Sequence, residues 1–188
     1  WALMEGTFAI FLQDRMNWSP GAAAFAFAGS GLVSALVQGG AIRPLVPRFG
    51  EVRLILAGVV LAGLGFVLIA VLSGASVWPL VAAVVLFSVG SGLVSPSISG
   101  LLSRITPMSE QGAGFGALTS TQTLARIISY MTGNILLARV SPSAPYWFGA
   151  SIYLAALLAA AWFAPNLGAV LARSQEPAAE ELTVGEQV

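Results

Sequence analysis

Leu54-Ile55-Leu56-Ala57-Gly58-Val59-Val60-Leu61-Ala62-Gly63-Leu64-Gly65-Phe66-Val67-Leu68-Ile69-Ala70-Val71-Leu72 contains no polar side chain. A helix needs about 20 mainly apolar residues to cross the hydrocarbon core of a bilayer, and this run reads as one such span, fit to face lipid. The remainder of the 188-residue chain has the same character: 57% of residues are hydrophobic, 9% are charged, and the mean hydropathy is +0.87. Soluble domains do not have that balance. The chain reads as an all-α integral membrane protein.

Working outward, punctuation divides residues 1–168 into six candidate spans, at about 1–12, 21–42, 54–72, 78–102, 112–137 and 146–164. The first starts at Trp1 with no basic leader or cleavage site, and we read the chain as a piece lacking its N-terminal part. Gln13 to Ser19 forms a loop, and Ser19-Pro20 is a helix start signal. Arg43 to Arg53 is expected to be a basic loop closing the second span, and Ser73-Gly74-Ala75-Ser76 a tight connection. Glu176, Glu180, Glu181 and Glu186 make residues 169–188 an acidic tail, expected to be solvated and disordered.

Arginines in short loops stay cytoplasmic, which orients the chain. Arg43, Arg48, Arg53, Arg104 and Arg173 fall on one side, and only Arg15 and Arg139 on the other. Both ends are therefore expected in the cytoplasm. Trp18, Trp78, Tyr146 and Trp147 fall at the external ends, where amphipathic rings favour the headgroup level.

Several function classes are excluded by composition. Histidine and cysteine are absent, so no disulfide, no imidazole or thiolate metal site and no Ser/His/Asp centre can form, and no cofactor is expected. Gly112-Ala113-Gly114-Phe115-Gly116 opens a membrane helix with no strand before it, unlike a dinucleotide loop. Neither an enzyme nor a nucleic-acid binder is indicated. The expected partners are the lipid bilayer and a small-molecule substrate.

Gly39-Gly40-Ala41-Ile42-Arg43-Pro44-Leu45-Val46-Pro47-Arg48-Phe49-Gly50-Glu51-Val52-Arg53 resembles the cytoplasmic loop motif of the major facilitator superfamily. Arg48, Phe49 and Gly50 match the motif, Pro47 stands where an aspartate is usual, and Glu51 where a basic residue is usual. Two further segments are similar to the drug and proton antiporter branch, which includes multidrug and tetracycline efflux proteins. They are Glu5 to Arg15, and Leu101-Leu102-Ser103-Arg104 followed by Glu110-Gln111-Gly112 and Gly116 to Ser120. Ala125-Arg126-Ile127-Ile128 also resembles that branch's span eleven, with Ser129-Tyr130 in place of Gly-Pro. The resemblance implies the C-terminal six-helix half of a twelve-helix fold, with the N-terminal half as its partner. It also implies proton-coupled efflux of small amphipathic or drug-like molecules by alternating access. The alternatives are an uptake carrier for a metabolite and a non-transporting membrane partner. The third and sixth spans of such a half lie outside, while the other four line the cavity or the second half.

An intramembrane charge is costly and marks a working interior. Arg126 is alone between Gln111 and Ala138, and Gln122 precedes it by one turn on a polar face shared with Thr119 and Ser129. From Glu5 to Gln13 the helix rises about 12 Å, which puts Glu5 near the midplane, at a depth Arg126 can reach. Glu5, Arg126 and Gln122 are the candidate proton and substrate pathway, a fixed ion pair between helices being the other reading. Ser34, Gln38, Ser91, Ser95 and Ser129 are candidate cavity-lining residues; for Ser34 and Gln38 close packing against the second half comes first, and for the others helix packing is the alternative. Pro96, in the glycine and serine stripe of span four, offers either a hinge or close packing. Arg43, Arg48, Gly50 and Arg53 are the candidate cytoplasmic gate loop, the alternative being orientation and attraction to anionic lipid.

Overall fold

The computed structural model describes residues 1–72 and 77–162. The connection expected at Ser73 to Ser76, the last residues of the sixth span, Arg173 and the acidic tail lie outside them. Among the described residues there is no strand. The helices are α1 (Ala2–Met16), α2 (Pro20–Leu36), α3 (Ile42–Phe49), α4 (Glu51–Val71), α5 (Val77–Ile105), α6 (Gln111–Arg139) and α7 (Ala144–Trp162). Among the described residues, four helical segments are long and apolar enough to cross a membrane: Pro20–Phe49, Glu51–Val71, Val77–Ile105 and Ala144–Trp162. α6 has the length, at 29 residues, but its polar face lowers its hydropathy, and α1 has 15 residues.

The junction of α1 and α2 follows local chemistry. Asn17 takes the left-handed conformation (φ 53°, ψ 34°) and ends α1, so the helix runs on past Leu12 through Gln13, Asp14 and Arg15. The Ser19 hydroxyl accepts from the Ala22 amide at 3.3 Å, capping α2 with Pro20 at its first position.

The expected basic loop is not a loop. α2 passes through a π turn, Val37–Ala41, into α3, which carries Arg43 and Arg48. Pro44 and Pro47 each remove an amide donor and crowd the carbonyl four residues back, which normally breaks a helix. The π turn over Gln38, Gly39 and Gly40 widens the spiral just before Pro44 and relieves that conflict. The break comes at Gly50, whose φ of 76° and ψ of 156° only glycine adopts without strain. Gly50→Ala is expected to cost about 1–3 kcal/mol by strain alone, since no atom stands within 4 Å of the added Cβ. Thermal unfolding in detergent would measure it, and an unchanged midpoint would refute the assignment.

Lipid offers apolar helices no hydrophobic reason to leave it, so close packing must hold the bundle. α4 and α5 provide it through glycine. A Cβ on Gly58 would stand 2.7 Å from the Gly90 carbonyl oxygen, and one on Gly65 2.7 Å from the Phe87 amide. The 54–72 span, read from its sequence as fit to face lipid, thus packs closely on one side. Gly58, Ala62, Gly65, Phe66 and Ile69 are buried against neighbouring helices, while Val60, Leu64, Leu68 and Val71 are exposed. A run without polar groups can pack on one face and meet lipid on the other.

Phe8, Phe11, Phe66, Phe87 and Tyr146 form the aromatic centre of the core. Phe66 meets Phe87 edge-on at 4.9 Å, and Phe11 meets Tyr146 at 4.8 Å, the arrangements favoured by ring quadrupoles. Tyr146 is therefore a core residue and not a headgroup anchor. Trp78 and Trp147 are exposed, as an interfacial position requires.

Candidate functional site

α6 has one buried residue, Gly133. It rests on α1 through a pair of glycines, one from each helix. A Cβ on Gly133 would stand 3.0 Å from Leu3 Cδ1 and from Thr7 Cγ2, and one on Gly6 2.6 Å from Tyr130 Cδ1. The small residues let the two backbones approach, which brings the charged groups beside them within reach.

Arg126 Nη1 lies 3.9 Å from Glu5 Oε2, with the two side chains 57% and 34% exposed. This distance is too long for a hydrogen bond, so the contact is coulombic. One turn further along the same face, the Tyr130 ring packs over Gly6, beside Glu5 on α1. Asn134, on the next turn, donates through its side-chain amide to the Tyr130 carbonyl at 2.8 Å. The α1–α6 seam therefore joins a charge contact on one turn of α6 to a ring packed on glycine on the next. Sequence reasoning found Glu5 and Arg126 and missed Tyr130. Its position four residues after Arg126 was the available signal.

The polar face around this pair is open. Gln122 and Thr119 are exposed, and Ser129 is half-buried. Two apolar grooves lie elsewhere. One, of about 210 Å³, sits among α1, α2 and α5 beside Phe8, Val33 and Val84, and the other, of about 390 Å³, between α4 and α7 beside Leu64, Trp147 and Leu154. Neither is lined by Glu5 or Arg126.

The expected lining residues divide. Ser34 is buried, and its hydroxyl donates to the Ser88 carbonyl at 3.0 Å. It ties α2 to α5 and does not line a cavity. The Ser91 hydroxyl is likewise buried, on the side of Tyr153 of α7. Gln38, within the π turn, and Ser95 are exposed. α5 continues through Pro96 as one helix.

At the basic end, Arg43, Arg48 and Arg53 are exposed and make no ion pair among the described residues. Arg43 and Arg48 project from α3, Gly50 is the joint, and Arg53 lies in the first turn of α4. The ion pair at this end is one the sequence reading did not single out. Arg104 Nε stands 2.7 Å from Glu51 Oε1, with the side chains 63% and 10% exposed. Glu51 opens α4 and Arg104 closes α5, so each charge also suits the helix terminus that carries it. The glutamate stem passes beside Gly100, where an added Cβ would stand at ordinary contact distance, 3.6 Å from Glu51 Cγ. The departure from the loop motif at Glu51 thus has a local partner.

The sequence matches the family described as Major Facilitator Superfamily over residues 1–184. It is 32% identical over 156 residues to the tetracycline resistance protein, class C, of Escherichia coli, covering 79% of this chain and 37% of that protein. Against the class G tetracycline resistance protein of Vibrio anguillarum it is 30% identical over 152 residues, covering 79% of this chain and 38% of the relative. The multidrug resistance protein MdtH of Proteus mirabilis is 30% identical over 129 residues, or 69% of this chain and 31% of that protein. The chain thus spans less than two-fifths of the length of these curated relatives.

Proposed function

The chain belongs to the major facilitator superfamily, and from that premise we propose that it is the C-terminal six-helix half of a proton-coupled exporter of amphipathic, drug-like molecules. α1 and α6 act as spans beside the four apolar ones, and residues 1–168 form two triplets of inverted topology. Tetracycline-type compounds are the first substrates to test, since the similar proteins named above are tetracycline and multidrug resistance proteins.

The observation that carries this reading is the Glu5–Arg126 pair between α1 and α6, on a face of α6 that no other described helix covers. A carboxylate at membrane depth beside a guanidinium gives a proton or a cationic substrate somewhere to exchange. Gln122 and Ser129 extend that face as further substrate contacts, with Ser95 and Gln38 on neighbouring helices. The exposed apolar side chains of α2 and α6, among them Phe25, Leu32, Leu36, Ile128 and Met131, suit burial against an N-terminal half. Arg43, Arg48, Arg53 and Arg104 support a cytoplasmic position for the basic end and for both chain ends. The Arg48-Phe49-Gly50 joint, with Arg43 and Arg53, contacts the opposite half when the cytoplasmic side closes.

The test is transport by the full-length protein in vesicles with an imposed proton gradient. A tetracycline or a lipophilic dye is expected to accumulate in the acidic compartment. Flux that ignores the gradient, or no flux of any such compound from folded protein, would overturn the proposal.

A further inference from the structure

The two ion pairs among the described residues differ in kind. Glu51 and Arg104 close on each other at 2.7 Å, with the glutamate almost covered. Glu5 and Arg126 stop at 3.9 Å, and both side chains stay partly exposed. No N–H of Arg126 therefore reaches the carboxylate at hydrogen-bond distance, so the guanidinium keeps donors and the carboxylate keeps lone pairs for a third group. A gap of this kind discriminates by the arrangement of charge. A ligand with one positive charge is attracted by Glu5 and repelled by Arg126 from nearly the same distance, so the two effects largely cancel; one negative charge meets the same cancellation with the signs reversed. A ligand carrying both charges, about as far apart as the pair itself, lies alongside with each end against its opposite and gains from both. Apolar surface adjoins the pair. The half-buried Tyr130 ring lies one turn along the face, and Ile127 and Met131 are exposed on its flank.

We propose that the gap between Glu5 and Arg126 is a head-group subsite that selects zwitterionic amphiphiles over amphiphiles with a single charge. This rests on the reading of the open α6 face as the substrate-facing side of an exporter. The cationic group of the ligand sits on the Glu5 carboxylate and its anionic group on the Arg126 guanidinium, each through a charge-assisted hydrogen bond that the protein pair does not make within itself. The uncharged body of the ligand covers Tyr130, Ile127 and Met131. The glycine contacts of Gly6 and Gly133 hold α1 and α6 in register, so the spacing of the two charges is set by backbone packing and not by the pair.

The test is calorimetric binding by purified full-length protein in detergent, at fixed neutral pH and with no gradient. Three probes share one naphthyl body and differ in the head: an ammonium, a carboxylate, or both groups two methylenes apart. Wild-type protein is expected to bind the zwitterion about tenfold more tightly than either singly charged probe, the equivalent of one charge-assisted hydrogen bond. Glu5→Gln should erase the preference over the anion and keep that over the cation, and Arg126→Gln should do the reverse. Opposite switches in two variants that each still bind a probe cannot come from loss of the fold. A wild-type protein that binds the cation or the anion as tightly as the zwitterion overturns the subsite, as does a preference unchanged in both variants. Either result leaves the exporter reading and the proton role of Glu5 standing, since those are read from gradient-driven accumulation. If folded protein binds none of the three probes, the substrate-facing reading of α6 fails and the subsite fails with it.

Discussion

Glu5→Gln is expected to reduce gradient-driven accumulation to the level of protein-free vesicles, while exchange of substrate for substrate across the same membrane continues. The substitution preserves size and a carbonyl oxygen, and replaces only the ionisable oxygen. Exchange needs the cavity to open alternately to each side, and coupling needs a group that carries a proton in one direction. Glu5 is the acid proposed for that task, and it is partly exposed and faces Arg126 across the α1–α6 seam. Arg126→Gln alone leaves an unpartnered carboxylate at membrane depth, a costlier state than the neutral pair. The double variant should therefore be more stable than the sum of its parts predicts, by about 0.5–1 kcal/mol for a pair this exposed. Accumulation that survives Glu5→Gln would remove Glu5 from the mechanism, and strict additivity would reduce Arg126 to a packing element.

The second large effect concerns the fold. Replacing Gly90 by alanine should sharply reduce the yield of folded protein, with a destabilisation of about 1–3 kcal/mol from overpacking, and Gly90→Val should abolish folding. A Cβ at this position would meet the Ala62 amide nitrogen and stand 2.6 Å from the Gly58 carbonyl oxygen. Both are backbone atoms, so no rotamer change makes room. α4 and α5 would have to part along their length, exposing glycine faces that lipid packs poorly. Gly31→Ala is the control, because no atom stands within 4 Å of its added Cβ and alanine favours a helix. Detergent-solubilised yield and thermal midpoint should separate the two substitutions clearly. A wild-type midpoint for Gly90→Ala would mean that the α4–α5 interface is looser than its glycines imply.

Periodicity, punctuation and composition made the all-helical membrane fold legible, because bilayer thickness leaves a chain little freedom in how it spends apolar residues. What they could not convey was the direction in which each helix packs. The span at 54–72 has no polar residue to mark a buried side, and its packing face is written in glycines, which hydropathy treats as neutral. Arg43 to Arg53 was expected to be a loop, since the π turn that makes Pro44 and Pro47 tolerable in a helix depends on geometry and not on residue type. Ser34 and Ser91 could be read from polarity as cavity lining or as helix packing, and polarity alone does not choose; each hydroxyl is buried between helices. Glu5 and Arg126 were legible as a possible pair because depth along a helix follows from counting. Tyr130 was not, because its contact depends on how α6 settles against Gly6.

The π turn at Val37–Ala41 also sets a phase. A π turn acts like one residue inserted into an α-helix, and one residue corresponds to about 100° of rotation. Everything beyond Ala41, Arg43 and Arg48 included, is therefore turned by roughly that angle relative to the face on which Ser30 and Ser34 meet their neighbours. Helix α2 and the basic segment α3 form one continuous rod whose two ends address different surroundings, and the offset between those addresses is stored in a single extra peptide unit.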